Sequence, residues 1–146
     1  GTLVLAGGFV PSISTCVGDV HHSTDGGRTW AELAASGSAA VWTARAFHAM
    51  LVVEDATILV LGGGCANDGD YEQLGSFVGD VWASGNGGLT WTPRSLAPGW
   101  SPRASLAVAI LPSGQLLVMG GIDSSGPLND VWESSDGGRS FSKLQA

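Results

Sequence analysis

The chain has few basic residues, few charges of any kind and no long hydrophobic run. Six Lys and Arg stand against thirteen Asp and Glu in 146 residues, which gives a formal net charge of −7. A net-acidic chain without a basic cluster is poorly suited to neutralise phosphates, so we expect no nucleic-acid partner. The longest apolar runs, such as residues 49–53, are too short to span a bilayer, so we expect no membrane insertion.

Charge and cysteine are scarce, whereas glycine and tryptophan are not. Charged residues make up 13% of the chain, against 23 Gly and six Trp. Many turns and large aromatic side chains with little solvating charge indicate a globular all-β protein and exclude a disordered one. The two cysteines, Cys16 and Cys65, form no C-x-x-C pair, which excludes the usual zinc and thiol redox motifs.

One eight-residue phrase occurs three times. It reads STDGGRTW at 23–30, SGNGGLTW at 84–91 and SSDGGRSF at 134–141. Upstream of each octet lies an apolar stretch that ends in a glycine pair, at 3–8, 58–63 and 116–121. Asp19, Asp80 and Asp130 mark the repeat at intervals of about fifty to sixty residues, which is the period of a propeller blade built from four short strands.

The octet is interpreted as scaffold and not as an active-site loop. Its glycines allow the positive φ angles of a tight hairpin turn. The side-chain oxygen of its Asp or Asn can accept hydrogen bonds from backbone N–H groups of the same turn. Asn86 replaces Asp25 and Asp136, which keeps the acceptor oxygen but removes the acid–base capacity. The residues assigned to these turns are Ser23, Asp25, Gly27, Trp30, Ser84, Asn86, Gly88, Trp91, Ser134, Asp136, Gly138 and Phe141.

Two further patterns complete the repeat. The octets resemble the Asp-box hairpins of sialidase-type and sortilin-type propellers. The glycine pair, the NDVW-like unit and the Trp-x-x-Arg that opens residues 42–53 and 100–111 resemble the kelch repeat of galactose-oxidase-type propellers. The resemblance implies an all-β β-propeller portion with repeat units 1–37, 38–97 and 98–146, the first without its inner strand. A ring of six to eight blades, or two copies closing six, is the expected setting.

The resemblance does not bring catalytic groups with it. The tyrosine that kelch repeats usually carry in the third strand is here Trp82, Trp132 or His21, and Tyr71 is the only tyrosine. We therefore expect neither the copper chemistry of galactose oxidases nor the tyrosine nucleophile of sialidases in this chain. We assign no catalytic residue and no cofactor, and no Ser–His–Asp or Cys–His set is evident. His48 occupies the position of Leu106 in the next unit, so we expect it in the core.

Burial can be predicted for the apolar stretches. ILVL at 58–61 and LLVM at 116–119 show no alternation, so both faces of these strands are expected to be buried. The segments at 9–18, 65–79 and 122–129 are expected to be loops at the end opposite the octets, where binding residues concentrate.

The ligand-binding candidates come from the loop segments and the inner strands. Asp68, Asp70 and Glu72 lie in the most acidic loop, and the oxygens of Asp68 and Asp70 form a weak calcium candidate without EF-hand spacing. Arg45 and Arg103 begin the inner strands. Each pairs with Asp19, Asp80 or Asp130 to tie one unit to the next, or else both grip an anionic ligand such as a sugar acid.

Cys16 and Cys65 follow the glycine pairs of adjacent units. A bridge between them is geometrically feasible, and their remaining unpaired is the alternative. A disulfide would indicate an oxidising compartment, either extracellular or lumenal.

These observations favour a non-catalytic binding module that presents loops to a protein or a glycan. Its other partners would be the remaining blades of the propeller or a second copy. A portion of a secreted carbohydrate-active enzyme, and a purely structural part of a large assembly, are the alternatives.

Overall fold

The computed structural model describes residues 1–33, 42–66 and 74–144. Within these residues the chain forms antiparallel strands joined by turns, with a single short 3-10 turn at Pro11–Ile13. No helix in the described part has the length and apolar character needed to cross a membrane. The chain is therefore an all-β protein, as its composition predicts.

Three sheets follow one another along the chain. The first contains three strands in the order β1-β2-β3, with β1 at Leu3–Val10, β2 at Thr15–Ser23 and β3 at Ala31–Glu32. The second contains four in the order β4-β5-β8-β9, at Ala49–Val52, Ile58–Leu61, Val81–Ser84 and Thr92–Ser95. Between β5 and β8, the strands β6 (Gly64–Ala66) and β7 (Leu74–Phe77) form a separate hairpin.

The third sheet repeats the order of the second. It runs β10-β11-β12-β13, at Ala107–Ile110, Leu116–Asp123, Gly126–Ser134 and Ser142–Leu144. The registers also match, since Val60 lies opposite Trp82 in the second sheet and Val118 opposite Trp132 in the third. The octets connect the last two strands of each sheet, and we call that end of the sheets the turn end.

The sheets stack face to face, and two hydrophobic layers lie between them. Ile58 and Val60 face the first sheet in a layer with Ala6 and Val20. Leu59, Leu61 and other residues of the second sheet face the third sheet, in a layer that includes Leu116 and Val118. The middle sheet is thus covered on both sides, and all four residues of β5 are buried.

The prediction that both faces of these strands are buried is confirmed for 58–61 and wrong for 116–119. In β11, Leu116 and Val118 are buried against the second sheet, whereas Leu117 and Met119 are only half-buried on the opposite face. The reason is that the third sheet has a neighbour on one side only within the described residues. Leu5 in β1 is 54% exposed on the outer face of the first sheet for the same reason.

The inner strands are shorter than the predicted 45–53 and 103–111. Ala46 and Ala104 form isolated bridges to Gly64 and Ile122, and the residues that follow, Phe47 and Ser105, have positive φ angles of 55° and 54°. A left-handed residue interrupts the extended backbone. The regular strands therefore begin two residues later.

The segments predicted to be loops extend the sheets as ribbons. Beyond each glycine pair the chain continues as a two-stranded ribbon, at 8–10 with 15–17, at 64–66 with 74–77 and at 121–123 with 126–128. We call these the first, second and third ribbons, and their end of the sheets the ribbon end. The backbone groups at this end thus pair across strands.

The glycine pair allows neighbouring sheets to approach. A Cβ on Gly7 would lie 2.7 Å from the Arg45 carbonyl oxygen, and one on Gly62 would lie 2.8 Å from that of Arg103. Both glycines have positive φ angles, near 60°. The pair is thus needed where each sheet meets the next.

The covered and uncovered faces provide a matched test of this packing. We expect Leu59→Ala to lower the free energy of unfolding by about 2–5 kcal/mol, because it leaves a cavity in a fully buried layer. Leu117→Ala, the counterpart in the third sheet, should cost clearly less because that side chain is half-buried. Urea unfolding of both variants checks this, and equal losses would contradict the described packing.

Candidate functional site

The octets form hydrogen-bonded turns that are closed by their own side chains. In the first, Ser23 Oγ donates to Asp25 Oδ1 and accepts from the Gly27 N–H, both at 2.8 Å. Asp25 Oδ1 also accepts the N–H groups of Arg28 and Thr29, and Oδ2 accepts the Thr29 hydroxyl at 2.6 Å. These bonds, led by the Thr29 hydroxyl, hold the pKa of Asp25 well below its usual range.

The octet with asparagine keeps this arrangement. Asn86 Oδ1 accepts from the Ser84 hydroxyl and the Thr90 N–H, at 3.0 and 2.9 Å. Its Nδ2 donates to Thr90 Oγ1 at 2.8 Å, so the direction of one hydrogen bond is reversed and its geometry retained. An amide does here what a carboxylate does in the other two octets, which agrees with a turn-forming role.

The aromatic residue that ends each octet packs differently in the three sheets. The Trp30 and Trp91 indole N–H groups donate back to the carbonyls of Gly27 and Gly88. Trp91 is 4% exposed and its ring lies 4.5 Å from that of Trp42, whereas Trp30 is 45% exposed. Only the octets of sheets with an inner strand have a Trp-x-x-Arg segment to pack against.

The two arginines are buried in matching networks. The guanidinium group of Arg45 is bidentate to Asp80, with N–O distances of 2.5 and 3.1 Å, and also donates to the carbonyls of Thr43 and Gly62. Its side chain is 1% exposed. It also lies over the Trp42 ring at 5.8 Å, a cation–π contact.

The third sheet reproduces this network around Arg103. Its guanidinium group is bidentate to Asp130 and donates to the carbonyls of Ser101 and Gly120. The Trp132 indole N–H donates to the same carboxylate at 2.8 Å. Donors directed at internal acceptors are not presented to a ligand, so this geometry favours the structural alternative for both arginines.

The expectation that these ion pairs tie one unit to the next is corrected. Arg45 and Asp80 belong to the same repeat unit, because Arg45 precedes β4 and Asp80 precedes β8 on the two sides of β5. The arginine side chain also donates to the carbonyl of Gly62, which follows β5. The connection between units is made by the arginine backbone instead. The Arg45 N–H donates to the Val17 carbonyl, and its own carbonyl accepts the Gly8 N–H at 2.9 Å.

The ion pairs lower the pKa values of their carboxyl groups. Burial opposes ionisation of Asp80, but hydrogen bonds from Arg45 and Trp82 outweigh it, and the pKa lies below its usual range. The hydrogen bonds from Arg103 bring the pKa of Asp130 to about 2, despite partial burial. Both groups are carboxylates at neutral pH and stabilise the folded state in that form.

The acidic segment was predicted to bind a ligand. Asp68, Asp70 and Glu72, including the two calcium candidates, lie outside the described residues. Within the described part of the chain, no three His, Cys, Asp or Glu side chains come together as a metal site.

The histidines occupy separate environments. His21 Nε2 lies 2.8 Å from Asp19 Oδ2, while His22 faces the other side of its strand with a buried, unpartnered Nδ1. His48 is half-buried near Gly7 and Gly63, and burial together with the charge of Arg45 lowers its pKa. Its position between two glycine pairs agrees with a packing role.

Cys16 and Cys65 form a disulfide between the first and second ribbons. The crosslink spans 49 residues and contributes about 4 kcal/mol by restricting the unfolded chain. It fixes two elements that would otherwise meet through few contacts. The ribbon end is therefore a rigid surface in this part of the molecule.

Sequence reasoning missed three side chains at the ribbon end. Ile13, Phe47 and Ile122 are 65%, 39% and 40% exposed. Phe47 has a positive φ angle, which is costly for a bulky residue. Its counterpart Ser105 has the same angle, so comparing the two repeat units indicates a position where phenylalanine is unnecessary for folding.

Comparison of the chain with models of known protein families found no match, and comparison with curated protein sequences found none either.

The Asp130 network predicts a pH-dependent stability. A carboxyl group whose pKa is lower in the folded than in the unfolded state stabilises fully above about pH 4, and this contribution is lost as the pH falls towards 2. We expect Asp130→Asn to cost about 3 kcal/mol at pH 7, because the Arg103 charge stays buried. The difference in the free energy of unfolding between this variant and the unchanged chain should become smaller at pH 2.5.

The control for Asp130→Asn is Asp19→Asn, the same change at a carboxylate that has no arginine. It should cost much less at pH 7 in urea unfolding. Equal losses at the two positions, or a pH-independent effect at Asp130, would contradict the assigned role of the ion pair.

The octet predicts that amide and carboxylate are interchangeable. Asp136→Asn should change stability little, because the amide can donate to Ser140 as Asn86 donates to Thr90. Asp136→Ala should cost about 1–2 kcal/mol, since several turn hydrogen bonds lose their acceptor. Thermal melts of both variants check this, and an asparagine variant as unstable as the alanine variant would refute it.

Proposed function

We propose that the three sheets are consecutive blades of a kelch-like β-propeller, with the octets as Asp-box turns. The support lies in the shared strand order of the second and third sheets, the stacking of all three, and the burial of the middle sheet on both faces. Units 1–37, 38–97 and 98–146 would be the blades, the first without its inner strand.

On this scaffold we propose a non-catalytic module that binds a protein partner through the ribbon end. The observation that carries the proposal is a disulfide-stapled end that presents Ile13, Phe47 and Ile122 to solvent. Exposed apolar side chains on a rigid surface are typical of protein–protein contacts.

The positions of the basic residues indicate which class of partner the ribbon end would bind. Of the six basic residues, Arg45 and Arg103 are buried in ion pairs, and Arg28, Arg94 and Arg139 contact carbonyl groups of the octet turns. Lys143 lies 4.0 Å from Asp130, and its side chain is 58% exposed. This distribution favours a neutral or basic protein surface over a sugar acid or another anion.

A binding assay with matched variants tests this function. The intact, oxidised chain is immobilised and exposed to an array of purified proteins and to a glycan array. We expect protein ligands that lose at least tenfold in affinity with Ile13→Asp, Ile122→Asp or Phe47→Ser. The last variant introduces the residue that the third sheet has at the same position, so it should preserve the fold.

The control is Leu89→Asp, which places the same charge on an exposed leucine at the turn end. It should leave binding unchanged. Binding of glycans alone, or protein binding that survives all three ribbon-end changes, would refute the proposal.

A further inference from the structure

The disulfide joins the first and second sheets at a place where the second and third sheets have no such link. We call these two contacts the first and second junctions. Cys16 lies opposite Phe9 as Phe77 lies opposite Gly64, so Cys16 corresponds to Phe77. Cys65 is the second residue after its glycine pair and corresponds to Asp123. The positions that are crosslinked at the first junction thus carry Phe77 and Asp123 at the second.

The two junctions are otherwise made by the same backbone hydrogen bonds. At each junction, the arginine that precedes the inner strand donates its N–H to a carbonyl of the neighbouring unit and accepts the N–H of that unit's second glycine. The distances are 3.2 and 2.9 Å for Arg45, and 3.1 and 2.8 Å for Arg103. An apolar layer lies behind each set of bonds. Because the second junction forms without a covalent link, stacking of the sheets does not require the disulfide.

The disulfide acts instead on the tip of the first ribbon. The turn at Pro11–Ile13 connects the two strands of this ribbon, and its hydrogen bond is internal, from the Ser14 N–H to the Pro11 carbonyl at 3.3 Å. Cys16 follows Ile13 by three residues, in the strand that leaves the turn. A crosslink at Cys16 therefore fixes the tip, and Ile13 with it, relative to the second ribbon.

The other two exposed apolar residues of this end are held without the disulfide. The Phe47 carbonyl accepts the Ser105 N–H at 2.8 Å. Ile122 exchanges two backbone hydrogen bonds with Ala104, both at 2.9 Å. Both residues are therefore fixed within the second and third units, and Ile13 is the one of the three whose position follows from the crosslink.

The two sulfur atoms of the disulfide differ in accessibility. Cys16 is 7% exposed, and its Sγ lies 3.8 Å from the Gly64 carbonyl oxygen. Cys65 is half-buried. A thiol that opens a disulfide attacks the sulfur that it can reach. The Sγ of Cys65 is therefore the point of attack, and Cys16 is the leaving group.

We propose that the Cys16–Cys65 disulfide is a redox control of the ribbon-end site, opened by a dithiol reductant. The proposal rests on the proposed function of that site. A thiolate of the reductant attacks Cys65 Sγ, the S–S bond breaks, and Cys16 leaves as a thiolate that takes up a proton. The second thiol of the reductant then attacks its own sulfur in the mixed disulfide and releases Cys65. The reductant supplies both electrons and ends as a disulfide.

Opening the disulfide leaves the sheets stacked and frees the first ribbon. The hydrogen bonds of Arg45 to the first sheet and the apolar layer around Ala6 and Val20 do not involve either sulfur. The first ribbon can then move relative to the second, and Ile13 loses its fixed place beside the rest of the surface. Affinity falls because ordering the ribbon again costs free energy at the moment of binding.

Hydrogen exchange of the oxidised chain, before and after treatment with dithiothreitol, tests the structural step. Mass analysis after alkylation confirms that both thiols are free. We expect faster exchange of the amides at 8–10, 15–17 and 64–66 after reduction, and unchanged exchange in β5 and in the third ribbon. The double variant Cys16→Ser with Cys65→Ser should match the reduced chain, and dithiothreitol should not change it further. Thermal melts confirm that both forms are folded.

Titration of each purified protein that the oxidised chain retains on the array tests the functional step. We expect affinity to fall about tenfold on reduction and to return on reoxidation. Ile13→Asp should weaken binding to the oxidised chain but not to the reduced chain, because reduction has already removed the contribution of Ile13. Ile122→Asp should weaken binding in both states. This pair of variants separates loss of the ribbon tip from loss of the whole surface.

Three results would overturn the proposal alone. These are ribbon amides that exchange equally in the oxidised and fully reduced chains, exchange in β5 that rises as much as in the ribbons, and binding that depends on Ile122 but is equal in both redox states. The second result would show that the crosslink maintains the whole fold. Absence of any protein ligand for the oxidised chain would instead refute the proposed function, and this proposal with it.

Discussion

An apolar sheet face is stable in water only when another surface covers it, and this constraint organises the chain. The middle sheet meets it on both faces, and β5 is buried along its whole length. Within the described residues, the first and third sheets meet it on one face each. Because the units repeat, Leu5 corresponds to Val60, and Leu117 corresponds to Leu59. Val60 and Leu59 are buried in the core, whereas Leu5 is exposed and Leu117 is half-buried. The uncovered faces therefore have the chemistry of the covered ones.

The arginine–aspartate networks follow from the same stacking. A guanidinium group at 1% exposure carries a desolvation cost of several kcal/mol unless it is paired and hydrogen-bonded. Arg45 meets this requirement through a bidentate carboxylate, two carbonyls and a tryptophan ring. Its backbone meanwhile bonds to the first sheet. The segment that carries the arginine thus completes one sheet and docks it on another.

The features that could be predicted from sequence are those decided by local chemistry. The exchange of Asp25 for Asn86 identified the octets as turns, because the requirement is an acceptor oxygen and not a charge. The unbroken apolar stretch at 58–61 predicted burial on both faces. The same pattern failed at 116–119, since burial there depends on a neighbouring sheet and not on the strand itself.

Features that depend on the approach of distant segments could not be predicted. The repeat contains three aspartates and two arginines at equivalent positions. Their spacing alone did not predict that each arginine would pair with the aspartate of its own repeat unit. Residues 65–79 were predicted to be a loop because the short ribbons that follow the glycine pairs have no distinctive sequence pattern. The pairing of Cys16 with Cys65 was left open for the same reason, and comparing Phe47 with Ser105 was the available signal for the ribbon-end surface.

The distribution of charge bears on the partner proposed for the ribbon end. A chain whose arginines bond to its own carboxylates and carbonyls directs its excess negative charge outward, which attracts cationic partners and raises their association rates. At the ribbon end the exposed groups are apolar, so affinity there would depend on buried area.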